Sequence, residues 1–512
     1  MQKTVLILAV ITAAIMELID TSIVNVALSH MSGNLGATLE DASWVITAYA
    51  IANVIIIPIT GFLAARLGRR NYYIGSIIAF TLFSFLCGQA TNIWMLVAFR
   101  FLQGIGGGAL LSVSQVIVFE QFPKEKQNIA SALFGIGVFI GPTIGPTLGG
   151  YITEYYDWPW IFYINIPIGI MVAVICSRLL PPPAQKPVAQ KIDWTGILLL
   201  AIGVSALQTV LERGETDDWF EAAYIVWLSV AAFLGIAMFI WWELRIPHPV
   251  VDLRVLKSRN LSIAAILTFV SGMGIFSSVF LTPVMAQRLL YFTPLQTGML
   301  LLPGACLAIG GLIISARLLQ RGVRPVWLIL AGMGLFVLFS WQMSGLNQDA
   351  GAAQITRYLI WRGVGLALVT VPLTTLAVSS LAAADIPQGA ALNNMMRQLG
   401  GSFGIAIVNT YLHNRNAQHR YDLVSHLDPS NPAVMQRLSG YTHYFMSKGA
   451  TAGEAHNSAL KALDSSVIRQ SALLSYSDTF LLVGGIFLLS LPLLLITSTR
   501  KKNADTVVIL DH

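Results

Sequence analysis

The chain has 512 residues, 55% of them hydrophobic and only 11% charged, with a mean hydropathy of +0.69. A soluble domain carries about 25% charged residues, so the composition excludes a water-soluble globular protein and fits an all-α polytopic membrane protein. The net charge of +6 does not point to nucleic acid, because the basic residues are spread among short loops rather than clustered.

Stretches long enough to cross about 30 Å of hydrocarbon at 1.5 Å per residue recur fourteen times. The predicted spans run 4–28, 43–63, 72–91, 94–119, 127–151, 160–180 and 193–212, then 221–243, 262–286, 297–317, 325–345, 355–379, 391–413 and 474–498. The start, MQKTVLILAVITAAIMELID, opens like a signal peptide, but its apolar run is too long and carries Glu17 and Asp20. It reads as an uncleaved first span.

The basic residues give the orientation. Lys3, the triplet Arg66, Arg69 and Arg70, Lys124 and Lys126, and Arg178, Lys186 and Lys191 all fall in one set of alternate loops. So do Arg245, Arg254, Lys257, Arg259, Arg317, Arg321, Arg324, Arg500, Lys501 and Lys502, which makes most of the chain's 31 Lys and Arg. The short loops of the other set hold Arg213 and Arg288. The positive-inside pattern therefore predicts cytoplasmic termini and an even number of spans. Cys87, Cys176 and Cys306 lie far apart in apolar stretches and make neither a disulfide framework nor a metal spacing.

The chain also repeats itself. QGIG (103–106) in span 4 is echoed by RGVG (362–365) in span 12, and the basic loops RLGRR (66–70) and QRGVR (320–324) precede them in the same order. Gly104 stands as far before Gly141 as Gly363 before Gly400. These echoes predict a six-helix unit over 1–180, two inserted spans with their connectors over 181–260, and a second six-helix unit over 261–512. Two such repeats with a site between them are transporter architecture.

Charges inside spans are costly and mark function. Glu17 and Asp20 share a helix face, roughly 20 and 24 Å from the inner end of span 1, and Arg100, about 9 Å in from the outer end of span 4 where that span begins, reaches a similar depth. Burial favours the protonated form of a carboxyl and a cation the ionised form. The expectation is a proton-coupling group at Asp20, helped by Glu17, with Arg100 setting its proton affinity; a static ion pair that fixes helix packing is the alternative. Arg362 and Arg397, deep in the second unit, suit anionic groups of a substrate, or would pair with carbonyls or with Glu17 and Asp20. Asn25, Gln103, Gln115, Asn393, Asn394 and Met396 complete the candidate substrate-binding set, since polar and methionine side chains line adaptable pockets.

GVFIGPTIGPTLGG (137–150) sets Gly137, Gly141, Gly145 and Gly149 four apart, with Pro142 and Pro146 between them. Small residues at this spacing let helices approach closely in lipid. The stretch is expected to form a bent helix pressed against the other half. Residues 414–473 form a long outer segment that mixes a turn signal, DPSNP (428–432), with a helical stretch at 453–474. It is expected to dock a partner or to act as a lid. No HExxH, P-loop, GxSxG or paired intramembrane histidine is present. A membrane-embedded enzyme, a cofactor and ATP drive are therefore not expected.

Several strings together resemble the major facilitator superfamily, in particular its fourteen-helix drug:proton antiporters of the EmrB type. IDTSIVNVAL (19–28) is similar to the span 1 motif, RFLQGIGGG (100–108) to the span 4 motif, and 137–150 to the span 5 antiporter motif. GFLAARLGRR (61–70) resembles the loop signature that contains Gly61, Gly68 and Arg69, with Ala65 where many members carry Asp. LERGETDDWF (211–220), DWPWIFYINIPIGI (157–170) and WELRIPHPVVDLRVLKSRN (242–260) look like the same subfamily. The resemblance implies the major facilitator fold and export of small lipophilic substrates across a bacterial inner membrane in exchange for protons. It also implies work with a periplasmic adapter protein and an outer-membrane channel. A proton-coupled importer on the same fold is the nearest alternative, and the span 5 motif argues against it.

Overall fold

A backbone in lipid must satisfy its own hydrogen bonds, so apolar runs of this length become helices. The computed structural model describes residues 2–123, 126–181, 193–247, 249–348, 350–379, 381, 385–428 and 430–496. Lys124, Lys186, Lys191, Arg500, Lys501 and Lys502 of the predicted basic loops lie outside the described residues. The helices are α1 (Gln2–Asn34), α2 (Leu39–Leu67), α3 (Arg69–Gly88), α4 (Ile93–Glu120), α5 (Gln127–Tyr155), α6 (Trp160–Tyr163), α7 (Asn165–Leu179) and α8 (Trp194–Arg213). They continue with α9 (Ala223–Glu243), α10 (Arg259–Arg288), α11 (Pro294–Gln320), α12 (Pro325–Ser344), α13 (Ala352–Ser379), α14 (Ile386–Ser425), α15 (Pro432–Ser447) and α16 (Ala452–Ser490).

By length and apolar composition, 13 described helices can cross a membrane, with α6 and α7 counted as one. The stretch predicted at 391–413 is helical too, inside α14, but Asn393, Asn394 and Arg397 make it more polar than the rest. The predicted span at 160–180 is broken into α6 and α7. Pro167 has no N–H to offer the carbonyl of Tyr163 four residues back, and the break falls there. Outward faces are apolar, most of all on α9, where Trp227 is 74% exposed.

Helices α1 to α7 pack among themselves, as do α10 to α14 with α16. The repeat reappears at the level of single contacts. Gly68 and Gly322, which end α2 and follow α11, both take positive φ, 80° and 88°, in the left-handed region glycine enters without penalty. A Cβ on Gly106 of α4 would stand 2.7 Å from the backbone of Phe80 on α3, and one on Gly365 of α13 2.7 Å from that of Gly332 on α12. These close approaches leave room for hydrogen only, which is why small residues sit on these faces.

The two groups meet through reciprocal pairs: α5 against α11, and α2 against α14. Cross-group contacts run along α5 and α11, from Gly135 against Leu312 to Thr147 against Gly298, and polar bonds add to them at the face that carries the loops around Gly68 and Gly322. There Ser131 bonds Thr375 at 3.0 Å, Asn394 bonds Gln115 at 2.8 Å, and Gln388 covers Gly61. Helices α8 and α9 pack on each other, and α8 also packs on α2 and α14.

On the opposite face the predicted 60-residue loop is largely helix. Helix α14 runs on to Ser425 and α16 starts at Ala452, with α15 between them. The capping box of Thr451 and Glu454 starts α16, and Arg415 and His419 of α14 hold Asp478 of α16. Hydropathy marks where apolar residues stop, whereas these caps and ion pairs carry the helices further.

Candidate functional site

The enclosed charges of the first group sit between α1, α2, α4 and α7. Arg100 is 1% exposed and Asp20 fully buried; Arg100 Nη1 lies 2.5 Å from Asp20 Oδ2. The other carboxylate oxygen accepts from Gln103 Nε2 at 3.1 Å and from Asn165 Nδ2 at 2.9 Å. Arg100 also donates to Gln103 Oε1 at 2.9 Å and to the carbonyl of Val45 at 3.3 Å, and its guanidinium lies 4.1 Å from the centre of the Tyr49 ring. Asp20 thus meets three donors, and its charge is balanced by a cation that is itself hydrogen-bonded. Such saturation is what makes a buried ion pair tolerable.

One turn earlier on the same helix, Glu17 is also buried, at 3% exposure. Its Oε1 accepts from Asn53 Nδ2 at 2.8 Å and from Tyr49 Oη at 3.2 Å, and its Oε2 has no partner. The second group carries the opposite charge. Arg362 is buried and donates to the carbonyl of Ser278 at 3.3 Å, while its Nε is unpartnered. It borders a small cavity with Val138, Phe139, Thr143, Val279 and Leu366, with room for about one water in this arrangement. Arg397 is buried with Nη1 unpartnered. Among the described residues neither arginine enters an ion pair. Pairing with Glu17 or Asp20 across the interior is therefore not formed here.

The superfamily model "Major Facilitator Superfamily" matches residues 10–405. The chain belongs to the major facilitator superfamily. The multidrug export protein EmrB of Escherichia coli K12 is 32% identical, over 96% of this chain and 94% of that protein. The fatty acid resistance protein FarB of Neisseria gonorrhoeae is 32% identical over 94% of this chain and 93% of its own. These relatives place the chain in the EmrB-like drug-efflux branch, among transporters rather than enzymes. The fold is also that of the human organic anion transporter MFSD10, with a TM-score of 0.61 at 13% identity, covering 96% of this chain and 99% of that one.

Within this superfamily fold the remaining candidates divide. Gln103 is bound to Asp20 and Arg100 rather than facing a cavity. Asn394 and Gln115 join the two groups, while Asn394 Oδ1, Gln115 Nε2 and Asn393 Nδ2 have no partner. Asn393 Oδ1 accepts from Thr268 at 2.9 Å. Met396 packs on the apolar cluster of Leu200, Val204 and Leu399, and Asn25 is exposed on α1. Neither is brought to the charged clusters.

The glycine stripe does not face the other group, contrary to what its spacing suggests. Gly137, Gly141, Gly145 and Gly149 close on Ile15, Leu18, Ser22 and Ile23 of α1, not on the other group. Ser22 Oγ reaches the carbonyl of Gly141 at 3.4 Å. Pro142 and Pro146 lie inside a continuous α5. The face of α5 turned to α11 carries Ala132, Gly135, Ile136 and Thr147 instead. Of the loop signature, Arg69 pairs with Glu120 of α4. Sequence reasoning missed Asn165, Tyr49 and Asn53. A polar residue two before Pro167 in an apolar run was the available signal for Asn165.

Proposed function

We propose that the chain is an antiporter of the bacterial inner membrane that expels lipophilic drugs or toxic amphiphiles in exchange for protons, by alternating access between units 1–180 and 261–512. The observation that carries this is the division of buried charge among the described residues: carboxyls with a bonded arginine in the first unit, and in the second two arginines outside any ion pair, one of which, Arg362, borders a cavity. A buried carboxyl can take a proton on one side of the membrane and release it on the other. An unpaired guanidinium is suited to an anionic group on a substrate. The multidrug and fatty acid resistance relatives support an exported, lipophilic cargo.

The face joined by the polar cross-group bonds carries the basic loops, and the positive-inside pattern supports a cytoplasmic position for it and for both termini. The projection formed by α15 and the neighbouring ends of α14 and α16 would stand in the periplasm, where it suits docking of an adapter that leads to an outer-membrane channel. One proton supplies about 2.3 kcal/mol per 100 mV and about 1.4 kcal/mol per pH unit. That supports roughly a hundredfold concentration ratio, at about 1.4 kcal/mol per tenfold.

The test uses purified protein in liposomes with an inside-acid pH jump and a trapped pH dye. Addition of a lipophilic drug is expected to evoke proton efflux. Drug flux with no proton movement would replace antiport by uniport.

A further inference from the structure

The two carboxyls of α1 are not equivalent, and the difference deepens the reading of this site as proton-coupling. Asp20 is saturated by three donors and neutralised by Arg100. Glu17 has no cation of its own. The charged and titratable groups that face it are Asp20 on α1, Tyr49 on α2 and Arg100 on α4, and the last is already bonded to Asp20. An ionised Glu17 would be a second negative charge in a site holding one cation, with one of its oxygens buried and unpartnered. Burying an uncompensated charge costs far more than burying a neutral hydrogen-bonded acid.

The partner side chain shows the same deficit. Asn53 is 2% exposed and gives its Nδ2 to Glu17 Oε1 at 2.8 Å, while its Oδ1 has no partner. Glu17 Oε2 and Asn53 Oδ1 are therefore both buried, both unpartnered acceptors, and carried by two planar groups already joined at their other ends. One proton would supply the donor that both lack. Placed on Oε2, it lets the acid donate to Oδ1 while the amide donates to Oε1, closing the ring of two hydrogen bonds that a carboxylic acid forms with a primary amide. We propose that Glu17, held as a neutral acid against the carboxamide of Asn53, is the group that carries the coupled proton, and that Asp20 and Arg100 are a fixed pair that positions it. On release the Glu17 O–H bond breaks, the electron pair stays on oxygen and the proton passes to water.

Replacement of Glu17 by glutamine tests this without dismantling the site, because a Gln–Asn amide pair reproduces both hydrogen bonds. Infrared difference spectra of purified protein across a pH titration are expected to show a protonated-carboxyl C=O band that shifts in D2O. Glu17→Gln should lose the band and Asp20→Asn should keep it. In liposomes Glu17→Gln should still bind drug, with Kd within about threefold of wild type, and should exchange drug for drug, while drug-evoked proton efflux disappears. A band that survives in Glu17→Gln, or that is absent from the wild type, overturns the assignment. So does equal proton efflux from wild type and Glu17→Gln. If the wild type itself moves no protons, antiport fails as the function, and the band alone decides whether Glu17 holds the proton.

Discussion

The two units use one scaffold and opposite electrostatics. Gln103 of α4 and Arg362 of α13 occupy equivalent places in the QGIG and RGVG repeats. In the first unit this position donates to a carboxylate on α1 at 3.1 Å; in the second it is a cation that finds only a carbonyl on α10, at 3.3 Å. Among the described residues the first unit therefore supplies its arginine with a carboxylate, and the second leaves two buried arginines, Arg362 and Arg397, without one. On the reading proposed above, that asymmetry gives the proton and the substrate separate places on one fold.

The largest effect expected from this comparison is on stability. Arg100→Met strands a fully buried Asp20, and removing one partner of a buried pair costs about 3–5 kcal/mol. Arg362→Met strands no carboxylate and removes an under-bonded buried charge, so its stability should be unchanged or raised. Thermal unfolding of the two variants in the same detergent makes the measurement. Equal losses would mean that Arg362 has an internal anion after all.

A smaller effect follows from supplying the missing charge. Val279 borders the same cavity as Arg362, so Val279→Asp gives the arginine a resident counter-ion. Binding of an acidic lipophilic drug is then expected to weaken by about tenfold, which is about 1.4 kcal/mol, with a neutral drug much less affected. Equilibrium binding of the two ligands to wild type and variant separates a charge effect from a general loss of the cavity. Equal weakening of both would remove Arg362 from anion recognition.

What was legible in the sequence follows the same physics. Glu17, Asp20 and Arg100 stood out because a charge in an apolar span is expensive, and their depths from the helix ends already put them level. Asn53, Tyr49 and Asn165 did not stand out, since a polar group's partner depends on which way α2 and α7 are turned, and that is settled by packing. The spacing of Gly137 to Gly149 announced a close approach without saying to whom, and the partner is α1 rather than the opposing unit. The glycine at the reciprocal seam, Gly61 beneath Gln388, had no periodic pattern to distinguish it.

The stripe also provides a symmetric control. Gly141 stands on Leu18 of α1 and Gly400 on Phe269 of α10. Alanine at either position forces apart the corresponding pair of helices, α5 and α1 or α14 and α10, and overpacking of this kind costs about 1–3 kcal/mol. Gly141→Ala and Gly400→Ala should lower the unfolding temperature by similar amounts. Only Gly141→Ala should also shift the pH dependence of drug-evoked proton efflux, because α1 carries Glu17 and α10 carries no acid. A shift in both would argue that the α1 carboxyls sense the whole bundle rather than their own contact.

The smallest effect belongs to the projection. Loss of the Thr451 cap in Thr451→Ala should cost about 1 kcal/mol, felt as faster amide exchange in the first turns of α16 and no change in the membrane-embedded helices. Transport in liposomes needs no adapter and should be untouched. Drug resistance of whole cells should fall if the projection docks an adapter, since a frayed α16 presents a poorer surface. A fall in liposome transport instead would tie α15 and α16 to the cavity itself, as a cover over its outer mouth. The contacts of Arg415 and His419 with Asp478 would then be parts of the transport cycle rather than of a docking platform.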